Sequence, residues 1–153
     1  MKAGLKVPKF QLSDQGGGPR TFDNLCGPRG LVLYVYPRDN TSGCSTEAAE
    51  FQEFLDDFAA LGFKVAGLGK DSAVSHQKFA AKLTLSFPLL SDPSTALIQD
   101  LGAWGVKKLY GKEVEGVMRS TFVFDAGGKL IKSYAKVKAQ GHAQQVLDDL
   151  KAA

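Results

Sequence analysis

Residues 36–47 hold the side chains best suited to chemistry in this 153-residue chain. Cys44 follows Thr41, Ser42 and Gly43, and a cysteine attacks as its thiolate, so its surroundings decide its power. Residues 31–36 are six successive apolar or aromatic side chains between Gly30 and Pro37, the pattern of a central strand covered on both faces. Beyond the turn-forming residues 37–43, apolar side chains recur at Phe51, Phe54, Leu55 and Phe58, with Glu50, Gln52, Glu53, Asp56 and Asp57 on the other side. That is the spacing of an amphipathic helix. Cys44 therefore falls in the first turn of a helix that starts where a buried strand ends. Unpaired backbone N–H groups and the positive end of the helix dipole favour a sulfur anion there. Thr41 and Ser42 are capping residue types, and Gly43 lets the backbone approach a small ligand closely. The plain alternative is a small buried hydrophobe; the polar caps and Gly43 argue against it.

Pro37, Thr41 and Cys44 stand as Pro-x-x-x-Thr-x-x-Cys, which resembles the peroxidatic-cysteine signature of the peroxiredoxins. Residues 34–48 are similar to the subfamily called peroxiredoxin Q or bacterioferritin-comigratory protein. The likeness continues through residues 70–76, 87–92, 110–112, 119–122 and 137–142. Several motifs in order, over nearly the whole chain, are far more specific than the cysteine motif alone. Ser42 departs from the pattern, since the subfamily usually has proline there. The resemblance implies a thioredoxin-like fold of the peroxiredoxin type and a thiol-dependent peroxidase acting on hydrogen peroxide and alkyl hydroperoxides, with no metal or cofactor. Cys44 would attack one peroxide oxygen, and Thr41 would hold the substrate through its hydroxyl. Arg119 would stabilise both the thiolate and the departing oxygen, and Pro37 would shield the site from water. The backbone N–H groups of Gly43 and Cys44 would also bind substrate. Physical chemistry agrees independently: fixed donors aimed at a leaving oxygen act on charge that develops in the transition state, and arginine stays charged at any working pH. Glu47, one turn beyond Cys44, could orient Arg119; a solvent-facing helix acid is the alternative.

The elements that must position these groups can be taken in order. Residues 7–12 read as a short edge strand with Pro8 at its start. Residues 15–20 form a Gly-rich turn, and no Gly-Lys-Ser/Thr follows to make a phosphate loop of it. Residues 21–25 suit one helical turn. A helix over 44–61 would be the crossover to a second strand at 63–68. Ser72 or Ser75 caps a helix to about Leu83, with Val74, Phe79 and Leu83 on its apolar face. Residues 87–90 read as a short strand, Ser94 opens a helix through Leu101, and 102–116 is a loop or hairpin holding Trp104 and Tyr110. Residues 118–125 and 129–135 alternate about a Gly-containing turn, a hairpin signal that places Arg119 in a strand and makes 129–138 an exposed edge. Residues 141–151 close the chain as an amphipathic helix with Val146, Leu147 and Leu150 inward. His76 and His142 read as a helix-start residue and a cap, without metal-ligand spacing to the cysteines. The order gives an α/β protein, a mixed central sheet flanked by helices, in one domain over residues 1–153.

A net charge of +3 is too mild to argue for nucleic acid or membrane surfaces. No run approaches 18 apolar residues, so no membrane helix is expected, and residues 1–6 lack the apolar core of a secretory signal. Two cysteines without such a signal read as thiols kept reduced in a cytoplasm.

A sulfenic acid formed on Cys44 must condense with another thiol. The resemblance puts that thiol five residues on, or directly after a Ser-His-x-x-Phe run; Ala49 and Ala80 occupy those positions here. The other thiol, Cys26, precedes the strand at 31–36, whereas Cys44 follows it. Six strand residues span about 20 Å, and a disulfide needs Cα atoms within roughly 7 Å. Cys26 thus reads as a structural thiol that meets Cys44 only if the chain unravels or two molecules come together. The sharper expectation is a one-cysteine cycle in a monomer, resolved by glutathione, a thioredoxin or a glutaredoxin. Two rivals remain: a redox sensor whose oxidised Cys44 engages a partner, and a noncatalytic thioredoxin-fold module with an unreactive Cys44.

Overall fold

The computed structural model describes residues 1–153, the side chain of Leu109 excepted. In chain order the elements are β1 (Leu12–Ser13), β2 (Pro19–Arg20), α1 (Phe22–Leu25), β3 (Gly30–Val35), α2 (Ser42–Glu53), α3 (Leu55–Ala60), β4 (Phe63–Gly69) and α4 (Ala73–Leu83). Then come β5 (Leu89–Ser91), α5 (Ala96–Asp100), β6 (Trp104–Leu109), β7 (Lys112–Val117), β8 (Ser120–Asp125), β9 (Leu130–Tyr134) and α6 (His142–Ala152). Seven strands form one sheet in the order β2-β1-β5-β4-β3-β8-β9, and β6 and β7 pair as a separate hairpin. No helix among the described residues is long and apolar enough to cross a membrane.

All six residues of β3 are buried, because β3 lies between β4, parallel to it, and β8, antiparallel. Successive side chains point to opposite faces of a strand, so β3 feeds two cores. Val32, Tyr34 and Tyr36 pack with Cys44, Ala48 and Phe51 of α2, Phe58 of α3, Phe79 of α4 and Val146, Leu147 and Leu150 of α6. Leu31, Leu33 and Val35 pack with Leu25 of α1, Leu97 and Ile98 of α5, and Phe122 and Phe124 of β8. Helices thus cover both faces of a mixed sheet. Tyr34 fixes α2 on the first face by stacking on Phe51, with ring centroids 4.5 Å apart and planes 12° from parallel.

Several elements differ from the periodicity, each for a local reason. The helix expected over 44–61 is two helices: Phe54, at φ −97° and ψ 9°, ends α2 and starts α3. Residues 7–12 join the sheet only at Leu12; upstream, Lys6 bridges Lys129 and Val7 bonds Gly128. The strand placed at 87–90 is Leu89–Ser91, paired to β4 from Leu89 onward. The fifth helix starts at Ala96 behind Thr95, which is held at φ 61°. Val74 is 60% exposed, and α4 instead buries His76, Phe79 and Ala80. Tyr110 and Gly111 both take positive φ, 53° and 78°, the geometry of a two-residue I′ hairpin turn.

Phe51 is fully buried between Tyr34 and Phe58. Phe51→Ala should cost about 3–5 kcal/mol of unfolding free energy, measured by urea denaturation; a loss below about 1 kcal/mol would mean that this contact does not seat α2.

Candidate functional site

The C-terminal end of β3 gathers the site. Val35 pairs with Ser120, so the start of β8 lies beside the point where the chain leaves β3 for α2. Arg119 occupies the two-residue link between β7 and β8, not a strand as the alternation implied. Its carbonyl accepts the Val137 N–H at 3.1 Å, and the Met118 N–H bonds the Ala103 carbonyl at 2.7 Å. With its backbone held on both sides, Arg119 projects onto the first turn of α2. Nη2 donates to the Cys44 sulfur at 3.3 Å, and Nη1 donates to Glu47 Oε1 at 2.7 Å. Cys44 and Glu47 are three apart on one helix face, so one planar guanidinium reaches both. Gly43 makes room: a Cβ there would meet Nη2 at 3.1 Å.

Charge at this point is tightly enclosed. Cys44 is 1% exposed and Glu47 fully buried. Burial pushes the Glu47 carboxyl up to about 7, with Arg119 opposing and Glu50 adding to the rise. Burial works against charge on Arg119, but Glu47 and Cys44 outweigh it and raise the guanidinium above its ordinary value. Glu47 Oε2 has no hydrogen-bond partner among the described residues. Glu50, one turn further along α2, takes the Gly141 N–H at 2.8 Å and so anchors the segment whose Ala139 borders Gly43.

Thr41 is the N-cap of α2 by position, but its side chain makes no capping bond; its hydroxyl donates to the Arg38 carbonyl at 3.1 Å. The first-turn N–H groups of Gly43 and Cys44 are left without partners among the described residues. Pro37 is half-buried where the chain leaves β3. Cys26 is half-buried and free, after α1, its thiol pushed up by burial and by Asp125 and Asp23. Asp125 pairs with Gly30, the first residue of β3. The two cysteines therefore stand at opposite ends of the sheet.

The periodicity missed a buried polar cluster behind the site. His76 is fully buried, not simply a helix-start residue: Nδ1 lies 2.6 Å from Asp39 Oδ2 and Nε2 donates to the Leu90 carbonyl at 2.9 Å. The Tyr36 and Ser75 hydroxyls donate to the same Asp39 carboxylate at 2.6 and 2.8 Å. Burial alone would raise the Asp39 carboxyl, but these bonds outweigh it and hold it below the usual range. The cluster ties the loop carrying Thr41 to α4 and β5. His142 starts α6, behind the N-cap Gly141, and meets Thr121 Oγ1 at 2.7 Å.

With this geometry in place, known proteins supply a context. Residues 3–133 match the AhpC/TSA family. The chain is 42% identical over 141 residues to peroxiredoxin Bcp of Xanthomonas campestris, covering 92% of this chain and 88% of that protein. It is 36% identical over 151 residues to peroxiredoxin Bcp of Escherichia coli, covering 99% and 96%. The fold superposes on peroxiredoxin Q of Xylella fastidiosa with a TM-score of 0.92 at 35% identity, covering 99% and 96%. The bacterioferritin comigratory protein of Xanthomonas campestris, a protein with alkyl peroxide reduction activity, superposes at 0.89 and 39% identity, covering 99% and 98%.

The Glu47 carboxyl binds its proton more tightly in the folded chain than in the unfolded one. Its contribution to stability is therefore full below the unfolded value of about 4.5 and is lost as pH rises through about 7. Urea denaturation between pH 5 and pH 8.5 should show a steeper loss in the wild type than in Glu47→Gln. Equal slopes would mean that Glu47 stays ionised throughout.

Proposed function

The chain belongs to the AhpC/TSA family, in its peroxiredoxin Q branch, and is a thiol-dependent peroxidase; on that footing we propose that Cys44 is the peroxidatic residue and that an outside thiol regenerates it. The observation that carries the assignment is Arg119 Nη2 donating to the Cys44 sulfur at 3.3 Å while Glu47 braces the other guanidinium nitrogen. In the oxidising half-reaction the Cys44 thiolate attacks the terminal oxygen of the peroxide. An S–O bond forms as the O–O bond breaks, and the sulfur gives up two electrons and becomes a sulfenic acid. The leaving oxygen departs with the electron pair and takes a proton, giving an alcohol or, from hydrogen peroxide, water. Arg119 and the N–H groups of Gly43 and Cys44 face that developing charge and need no reorganisation to do so. Thr41 turns its hydroxyl from the Arg38 carbonyl to the bound peroxide, and Pro37 limits water at the entrance. Glu47 is a positioning residue that fixes the guanidinium plane.

In the reducing half-reaction an external thiol attacks the sulfenic sulfur, water leaves, and a mixed disulfide forms. A second thiol then exchanges with it and releases Cys44 reduced. Ala49, Ala80 and the remote Cys26 support this one-cysteine cycle, because none supplies a tethered thiol. Glutathione, a thioredoxin or a glutaredoxin fits the role, in a monomer of one domain in a reducing cytoplasm. The alkyl peroxide reduction of the Xanthomonas relative supports alkyl hydroperoxides as substrates beside hydrogen peroxide. A sensor role for oxidised Cys44 is not favoured, since the relatives are peroxiredoxins.

Peroxide consumption with dithiothreitol, glutathione or a thioredoxin system tests the cycle. Cys44→Ser should abolish turnover and Cys26→Ser should retain it. Arg119→Met should slow oxidation of Cys44 by about 10²–10³-fold. Mass spectrometry after peroxide treatment should find the sulfenic acid or its thiol adduct on Cys44; a disulfide joining Cys26 to Cys44 within one chain would overturn the one-cysteine cycle.

A further inference from the structure

The hairpin of β6 and β7 stands apart from the main sheet, and its charged residues Lys108, Lys112, Glu113 and Glu115 are exposed. Lys107 is the exception: it is half-buried. The register explains why. Lys107 pairs with Val114, and the next pair on the same face is Gly105 with Gly116, so a trough without side chains lies beside the lysine. Its stem occupies that trough, with Cε 4.0 Å from the Cβ position that Gly116 leaves empty, while Met118 closes on Gly105 from the other end. The stem is thereby laid toward the strand end that continues into Arg119.

That direction leads to the link whose Arg119 reaches the Cys44 sulfur. Burial lowers the Lys107 pKa, Arg119 and Lys70 lower it further, and Cys44 pulls the other way. Lys70 is exposed just beyond the end of β4. Arg119 has Glu47 as its counter-charge, but Lys107 forms no ion pair among the described residues. Holding a partly buried cation against the like charges of two others is costly, and the splitting of a neutral peroxide calls for no cation beyond Arg119. A free ammonium on the hairpin that runs into Arg119 suits an anionic group on whatever approaches the sulfur.

We propose that Lys107 is a specificity-determining residue, its ammonium receiving the carboxylate of an anionic small-molecule substrate that docks at Cys44. The proposal rests on Cys44 being the reacting sulfur. The carboxylate belongs either to the peroxide or to the reducing thiol, and matched pairs of probes separate the two sources. Oxidation of Cys44 is timed by stopped flow with monoperoxyphthalate and with peroxybenzoic acid, which lacks the carboxylate. Reduction of the sulfenic acid is timed with mercaptoacetate and with the neutral 2-mercaptoethanol. In Lys107→Met the ratio of charged-probe to neutral-probe rate should fall roughly five- to tenfold in at least one pair, and Lys107→Arg should restore most of it. A fall in the peracid pair assigns Lys107 to the oxidising half-reaction, and a fall in the thiol pair assigns it to the reducing half. Unchanged ratios in both pairs overturn the proposal and leave the peroxidase reading intact. A wild-type protein whose Cys44 fails to react with hydrogen peroxide, like the Cys44→Ser blank, overturns that underlying reading instead.

Discussion

Arg119 divides its guanidinium between the Glu47 carboxylate and the Cys44 sulfur, at 2.7 and 3.3 Å, in a setting that excludes most water. A carboxyl sealed at 0% exposure is costly unless it is paired or neutral, so Glu47 depends on the arginine as much as the arginine depends on it. The carboxylate takes one guanidinium nitrogen and aims the other at sulfur. Three segments far apart in sequence must agree for this to hold: the first turn of α2, the link at 118–119, and the stretch 135–141 that receives Glu50. The seven-stranded sheet brings them to one end of β3, where Val35 meets Ser120.

Much of this arrangement was legible in the sequence. The unbroken apolar run at 31–36 required a strand buried on both faces, and the helical spacing after it placed Cys44 in a first turn. The motif pointed to Arg119, although its side chain leaves from a link and not from a strand, because alternation at 120–125 says nothing about where pairing with β3 begins. Ala49 and Ala80 stand where the resemblance expects a resolving thiol, and the sequence already set Cys26 and Cys44 on either side of β3. The Phe54 break between α2 and α3 had no signal, since no Gly or Pro marks it and apolar spacing continues across it. Val74 suited the apolar stripe of α4, but His76 took the buried position: a histidine with partners on both ring nitrogens competes with valine for a core site, and periodicity does not see partners. Lys107 was hidden for a similar reason, as its half-burial depends on two glycines meeting across a hairpin.

The Asp39–His76 pair carries the architecture one layer further from the sulfur. It joins the loop after β3, helix α4 and strand β5: the Asp39 carboxylate takes the Tyr36 and Ser75 hydroxyls and lies 2.6 Å from His76 Nδ1, while His76 Nε2 donates to the Leu90 carbonyl. Networks of this kind are rigid when every member is satisfied. Tyr36 belongs both to this cluster and to the aromatic face under α2, so the polar anchor and the hydrophobic seat of the reactive helix are mechanically one piece. The loop that presents Thr41 is thus fixed from below while its outer surface stays open.

Cys26 and Cys44 stand at opposite ends of β3, and that separation reaches beyond the molecule. A tethered resolving thiol is present at an effective concentration in the roughly millimolar range whatever its surroundings contain. On the one-cysteine cycle proposed here no such tether exists, so the lifetime of the oxidised sulfur lengthens in inverse proportion to the thiol supply outside. In thiol-rich surroundings the protein works fast; as thiols run down it stands idle in its spent form. Its throughput then gauges the reducing capacity of the compartment around it.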